Sequence, residues 1–74
     1  MHRVRDEDVM KAFGANLKRI RLQQGMTQEE LANKADIAFS SVARIEIGKI
    51  NTTISTIARL AQTLKVSQKE LMDF

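Results

Sequence analysis

Apolar residues recur at helical spacing along the whole chain, and no stretch alternates with the two-residue period of a half-buried strand. The first stripe predicts a helix over residues 6–24 that ends at Gly25; its apolar positions are Val9, Phe13, Leu17 and Ile20. The chain also lacks proline, so the pattern predicts an all-α fold.

A second helix is predicted to begin at Gln28. Thr27 and Glu30 have the spacing of a capping box, in which each side chain accepts a hydrogen bond from the other residue's backbone amide. This helix should end near Asp36, because aspartate tolerates the left-handed conformation that a sharp helix end needs.

A third helix is predicted over about residues 38–47, with Val42 and Ile45 facing inward and Gly48 just past its end. Only about three residues separate it from the second helix, so the two helices must cross steeply. Such a pair of short helices is typical of proteins that read DNA. The outward positions of the third helix are Phe39, Ser40, Ala43 and Arg44.

Two further helices complete the pattern. After a loop over residues 49–53, a fourth helix should run to about Lys65, capped by Thr52 or Thr53. Ser67 and Glu70 repeat the capping-box spacing and predict a short fifth helix. We interpret residues 1–5 as a flexible tail and residues 6–74 as a single domain. The apolar positions of the fourth helix are Ile54, Ile57, Leu60, Ala61 and Leu64.

The length of 74 residues suits one small domain, which buries only ~60% of its unfolded surface and would gain stability from self-association. The chain has no cysteine and no apolar run near the ~20 residues of a membrane span. Its N-terminus mixes acidic, basic and apolar residues, unlike a signal peptide. We therefore expect a cytoplasmic protein with no membrane partner.

The net charge of +3 is a mild indication of a nucleic-acid partner, although solvated basic helices fit it equally well. Catalytic chemistry finds little support, because the only histidine is His2 in the tail and no glycine-rich phosphate loop is present. We expect no enzymatic activity, no cofactor, no metal and no small-molecule ligand.

Three motifs at the correct separations carry a family resemblance: T-Q-E-E-L-A at 27–32, R-I-E-I-G-K at 44–49 and V-S-Q-K-E-L at 66–71. From residue 17 to residue 71 the chain resembles the lambda-repressor-like, Cro-type helix-turn-helix family of bacterial and phage transcription regulators. Small stand-alone members of that family include restriction-modification controller proteins. The resemblance implies a five-helix DNA-binding domain whose third helix enters the major groove, usually as a homodimer on a palindromic operator.

The resemblance also implies base contacts from four residues of the third helix. Arginine is the commonest bidentate reader of guanine, so Arg44 is a candidate base reader, whereas Phe39 offers only apolar contact, for instance to a thymine methyl. Instead of reading a base, Arg44 could contact a phosphate or simply be solvated. Phe39 could instead pack against the core or against a neighbouring subunit. The predicted base contacts are Phe39, Ser40, Ala43 and Arg44.

Phosphate contacts are implied at the start of the second helix and around the third. Gln28 matches the family glutamine that donates to a phosphate, beside the open amides of a helix N-terminus. Alternatively, Gln28 is merely solvated, and Asn51 or Thr53 are turn and cap residues. The predicted phosphate contacts are Gln28, Ser41, Lys49, Asn51 and Thr53.

Two structural roles follow from the same resemblance. Arg21 and Glu46 should form an ion pair that fixes the third helix against the first. Pairing through the fourth and fifth helices should form a homodimer, unless Met72 and Phe74 fold back on the first helix instead. The predicted interface residues are Leu71, Met72, Phe74 and Ile50.

Some positions depart from the family pattern. Ala38 replaces the usual serine or threonine cap, so the sequence also allows the third helix to start later, near Ser40. Asp36 stands where glycine is common, and Ile47 and Ile50 place apolar side chains near the DNA-facing loop. A competing function is an antitoxin or adaptor whose domain chiefly binds a protein partner, although such proteins often carry an extra segment for that purpose.

Overall fold

Five α-helices make up residues 5–74, the part of the chain described by the structure, a computed structural model. These residues contain no β-strand, which confirms the predicted all-α, five-helix fold. Of the predicted tail, residues 1–4 lie outside the described residues, and Arg5 is exposed. The helices are α1 (Asp6–Gln23), α2 (Gln28–Ala35), α3 (Phe39–Glu46), α4 (Ile54–Leu64) and α5 (Gln68–Leu71).

Local signals determine where α2 begins and ends. The Thr27 hydroxyl accepts a hydrogen bond from the Glu30 amide at 3.0 Å, and the Glu30 carboxylate accepts one from the Thr27 amide at 3.0 Å. The bond from the Thr27 amide lowers the pKa of the Glu30 carboxyl, because it stabilises the ionised form. Asp36 ends the helix in the left-handed conformation, with φ of 56°. The predicted capping box and helix end are confirmed.

The other helix starts are less uniform. Ala38 precedes α3 without any side-chain cap bond, and the helix begins at Phe39, between the two predicted starts. Thr53 caps α4 by accepting from the Thr56 amide at 3.1 Å. At α5 the cap is one-sided, because the Ser67 hydroxyl accepts from the Glu70 amide but the reciprocal bond of the predicted capping box is not formed.

The core lies where the five helices meet: α3 packs against α1 and α2, α4 packs against α2, and α5 joins α4 to α1. The prediction that Leu71 belongs to a dimer interface is wrong, because this side chain is 0% exposed and fills the core of its own chain. The core side chains are Phe13, Leu17, Ile20, Leu31, Ala32, Ala35, Val42, Ile45, Leu60, Ala61, Leu64 and Leu71.

A glycine allows α1 to cross the end of α3 at close range. A Cβ atom on Gly14 would clash with the carbonyl oxygen of Ile45 and would lie 2.7 Å from that of Glu46. Both obstacles are backbone atoms, which cannot turn aside as a flexible side chain can. Gly14 therefore allows α3 to approach α1 closely, a role with no local signal in the sequence.

Two amide side chains, Asn16 within α1 and Gln24 directly after it, hold the ends of the C-terminal helices. The buried Asn16 side chain donates to the carbonyl oxygens of Leu71 at 2.7 Å and Glu70 at 3.2 Å. Gln24 donates to the carbonyl oxygen of Leu64 at 2.5 Å, at the end of α4. These carbonyls lie in last helical turns, where intrahelical partners are missing. The three bonds fasten α4 and α5 to the first helix and the residue that follows it.

Candidate nucleic-acid interface

One face of α3 is left open by the way the helix packs. Val42 and Ile45 are buried, and this orientation places Ser40 and Arg44 on the opposite, exposed side. Phe39 is 52% exposed at the first turn, and Ala43 is half-buried. The four predicted base-contact residues thus lie on adjoining parts of one helix surface. Among these four residues, Arg44 is the one with a positive charge.

The far end of α3 is locked to α1 by a bidentate ion pair. Arg21 donates from Nε to Glu46 Oε2 at 2.7 Å and from Nη2 to Glu46 Oε1 at 2.9 Å. The Arg21 and Glu46 side chains are only 7% and 1% exposed. The bond to the Glu46 carboxylate, which outweighs the effect of burial, raises the pKa of the Arg21 guanidinium, so the arginine stays charged.

The same carboxylate also binds the start of α2. Gln28 donates from its side-chain amide to Glu46 Oε1 at 3.0 Å, and Arg21 Nη1 donates to the carbonyl oxygen of Met26 at 2.6 Å. Glu46 therefore connects α1, α3 and the N-terminus of α2 in one network. The family resemblance implied a phosphate contact for Gln28, and the bond to Glu46 has no local sequence signal, since the two residues lie 18 positions apart.

Gln28 keeps hydrogen-bonding capacity after this contact. A side-chain amide has two N–H donors and a carbonyl oxygen, and the bond to Glu46 uses one donor. The side chain is half-buried and sits in the first turn of α2, where backbone amides also lack intrahelical partners. The arrangement holds the glutamine in place at the helix end that favours an anion.

The loop between α3 and α4 exposes polar side chains beside this surface. Lys49 and Asn51 are exposed, and Ser41 is half-buried on α3. Thr53 is exposed, but its hydroxyl already accepts from the Thr56 amide and donates to the Thr56 hydroxyl at 3.0 Å. Its observed bonds are those of a helix cap, which was the alternative interpretation of this residue.

The C-terminal residues both contact α1 and remain accessible. The rings of Phe74 and Phe13 meet edge to face, with centroids 6.3 Å apart and planes at 68°. Even so, Phe74 is 51% exposed and Met72 is 43% exposed. Ile50 is half-buried against the core. Phe74 thus folds back on the first helix while still offering half of its surface.

The fold and this surface together define a helix-turn-helix DNA-binding domain, formed by α2 and α3. The chain belongs to the helix-turn-helix family of DNA-binding transcription regulators: the family model named Helix-turn-helix matches residues 17–71. No helix within residues 5–74 has the length and apolarity needed to cross a membrane.

Several relatives agree with this assignment. An uncharacterized HTH-type transcriptional regulator, y4dJ, from Sinorhizobium fredii is 37% identical over 65 residues, which cover 88% of this chain and 84% of that protein. The control protein C.BamHI from Bacillus amyloliquefaciens is 35% identical, covering 84% of this chain and 78% of that protein. The crystal structure of the restriction-modification controller protein C.AhdI from Aeromonas hydrophila superposes with a TM-score of 0.82 at 34% identity, covering 86% of this chain and 96% of that one.

Proposed function

We propose that this regulator binds a palindromic operator as a homodimer, with α3 of each protomer in the major groove. The observation that carries the proposal is the contrast between the two sides of α3. Its inner side is locked by the buried Arg21–Glu46 pair, while Ser40 and Arg44 stand free on the outer side. A rigid helix with an exposed, arginine-bearing face suits direct readout of base edges.

Individual residues take distinct roles in this proposal. Arg44 donates to guanine O6 and N7, and Phe39 provides apolar contact beside it, with Ser40 and Ala43 completing the base-facing surface. Backbone phosphates are held by residues around the edge of α3, which set the position of the helix without carrying sequence information. The proposed phosphate contacts are Gln28, Ser41, Lys49, Asn51 and Thr53.

Dimerisation supports selectivity, because one recognition helix reads few bases. Two protomers on half-sites about one helical turn apart, ~34 Å, combine their readout. The exposed apolar side chains of Met72 and Phe74, with Ile50 beside them, are the proposed contact surface.

One structural relative, C.AhdI, is a restriction-modification controller protein, and this relative supports the biological setting that we propose. We propose that the protein acts in the cytoplasm on the DNA upstream of its own gene or of such an operon. It works by occupying DNA, as a binding protein without a catalytic step or cofactor.

The test is fluorescence anisotropy with DNA from upstream of the protein's own gene and a shuffled duplex of the same composition, at ~0.15 M salt, where electrostatic affinity alone is modest. We expect a preference of ~10³ or more for the upstream DNA. Equal, weak binding to both duplexes contradicts autoregulation. Capture of one specific protein partner together with such weak binding would favour the antitoxin or adaptor alternative.

A further inference from the structure

Ile54 is far more exposed than its place in the apolar stripe of α4 predicts. The side chain is 81% exposed, the highest value among the large apolar residues within 5–74, although the next position of its stripe, Ile57, packs against the core. It occupies the first turn of α4, directly after the loop that faces the proposed DNA backbone. Reading DNA does not explain an apolar side chain held in water at this point.

An open apolar cavity lies close to Ile54 in the same chain. Its volume is about 120 Å³, and none of the charged side chains of the described chain lines it. Two residues of the preceding loop, Asn51 and Thr52, form its polar edge. The apolar lining consists of Val9, Met10, Phe13, Ile50, Ile57 and Met72.

Exposed apolar residues cluster around this cavity. Val9 and Met72 line it while remaining partly exposed, and Phe74 packs edge to face on Phe13 in its wall. With Ile54, this makes four of the seven large apolar side chains that are exposed within residues 5–74. Exposed apolar side chains gathered around an apolar cavity are typical of a protein contact.

We infer that the occupant of this cavity is Ile54 of a second copy of the chain, so that each protomer of the dimer inserts its Ile54 into the cavity of the other. The inference rests on the proposed homodimer and specifies its centre. Leu71, which is buried, plays no part in it.

Size and symmetry favour this occupant. A cavity of about 150 Å³ holds the six carbons of benzene, so one of about 120 Å³ suits the four side-chain carbons of isoleucine. In a two-fold dimer, a contact between one residue and a neighbouring patch is automatically repeated by the other protomer. A protruding apolar side chain beside an unfilled apolar cavity is therefore self-complementary.

The location also links dimerisation to the DNA-facing loop. Asn51, a proposed phosphate contact, borders the cavity, and Ile50 contributes to its wall. An inserted Ile54 would pack beneath this loop and restrict its movement. The dimer contact and the proposed backbone contacts thus share one segment of chain.

The test compares solution mass by analytical ultracentrifugation over a range of protein concentrations. Ile54→Ala removes three carbons at each of two symmetric contacts, and we expect the dimer dissociation constant to rise by a factor on the order of a thousand. Ile54→Arg should leave only monomer. Val9→Arg places a charge at the cavity rim while keeping Ile54, and it should also abolish the dimer.

Leu22→Arg is the matched control, because it makes the same change at another exposed site of α1, 55% exposed and about 20 Å along the helix from Val9. It should retain the wild-type dimer mass. Far-UV circular dichroism of each variant checks that the monomers stay helical.

The outcomes separate this inference from the proposed function. A monomeric wild-type protein, or an Ile54→Arg or Val9→Arg variant that keeps the dimer mass, overturns the inference. Specific operator binding by the wild-type protein in the same series would leave the proposed function standing. Loss of the dimer in both variants but not in the control supports the inference, even where the wild-type protein shows no DNA preference.

Discussion

Arg44 and Gln28 represent two kinds of DNA contact that substitution should separate. Arg44→Ala should cost ~1–3 kcal/mol on the operator and relax discrimination at the base pair that it reads. Gln28→Ala should weaken binding to operator and unrelated DNA by similar factors, because a phosphate contact carries no sequence information. Anisotropy titrations on the operator, a single-base variant series and random DNA measure both effects.

The unfolding free energy of both variants is the control for this comparison, because Gln28 also bonds Glu46 in the folded protein. An Arg44→Ala variant that loses equal affinity on operator and random DNA would reduce Arg44 to a phosphate contact. Arg44 itself is exposed, so its replacement should leave stability almost unchanged.

Glu46 should matter more for stability than any exposed glutamate. Glu46→Ala removes both bonds of the buried pair and leaves the Arg21 charge uncompensated, so we expect a loss of ~3–5 kcal/mol in urea unfolding. Glu29→Ala, at an exposed position of α2, is the matched control and should cost ~1 kcal/mol or less. Similar losses in the two variants would mean that the ion pair is solvated in solution.

At the scale of elements, the crossing of α1 and α3 depends on Gly14. In an unobstructed helix, replacing glycine by alanine stabilises by ~1 kcal/mol, but here the new Cβ would meet the backbone carbonyls of Ile45 and Glu46. We therefore expect Gly14→Ala to destabilise the domain and lower its melting temperature.

The neighbouring exposed position supplies the reference for this prediction. Ala15→Gly should cost only the intrinsic ~1 kcal/mol of helix propensity. Thermal unfolding of both variants tests whether α1 and α3 cross as closely as described. A Gly14→Ala protein that melts above the wild type would disprove the close crossing. Because the position of α3 depends on its close packing against α1, the Gly14→Ala protein should also bind the operator less tightly.

At the scale of the whole molecule, a domain of this size has little stability in reserve, so dimerisation should appear in its thermal unfolding. A partner that binds only the folded chain makes the melting temperature depend on protein concentration. We expect the midpoint to rise by ~3–5 °C for each tenfold increase in concentration. Differential scanning calorimetry over a hundredfold range measures it, with Ile54→Arg as a variant that should show no such rise. A constant wild-type midpoint would argue against a coupled dimer.

The ends of the helices were largely predictable from the sequence, because caps act between residues three or four positions apart. Thr27 with Glu30, Asp36 and Thr53 all perform the predicted local roles. The start of α3 was the least certain, because Ala38 offers no side chain to cap it. The motifs around α2 and α3 likewise led directly to the helix-turn-helix family.

Apart from the Arg21–Glu46 pair, which the family resemblance implied, the contacts between distant helices were decided by the tertiary structure. Leu71 and Ile54 are both apolar residues in helical stripes, yet one is wholly buried and the other is 81% exposed. Asn16 and Gly14 gave no local signal, since their partners lie on helices distant in sequence.

The physical reason is that helical periodicity states which side of a helix avoids water, but not what covers it or in which chain the cover lies. The sequence therefore determined the helices, their caps and the family of this protein. Only packing decided that Glu46 joins three helices. Packing also decided that an apolar cavity remains open near Ile54, which its own chain does not bury.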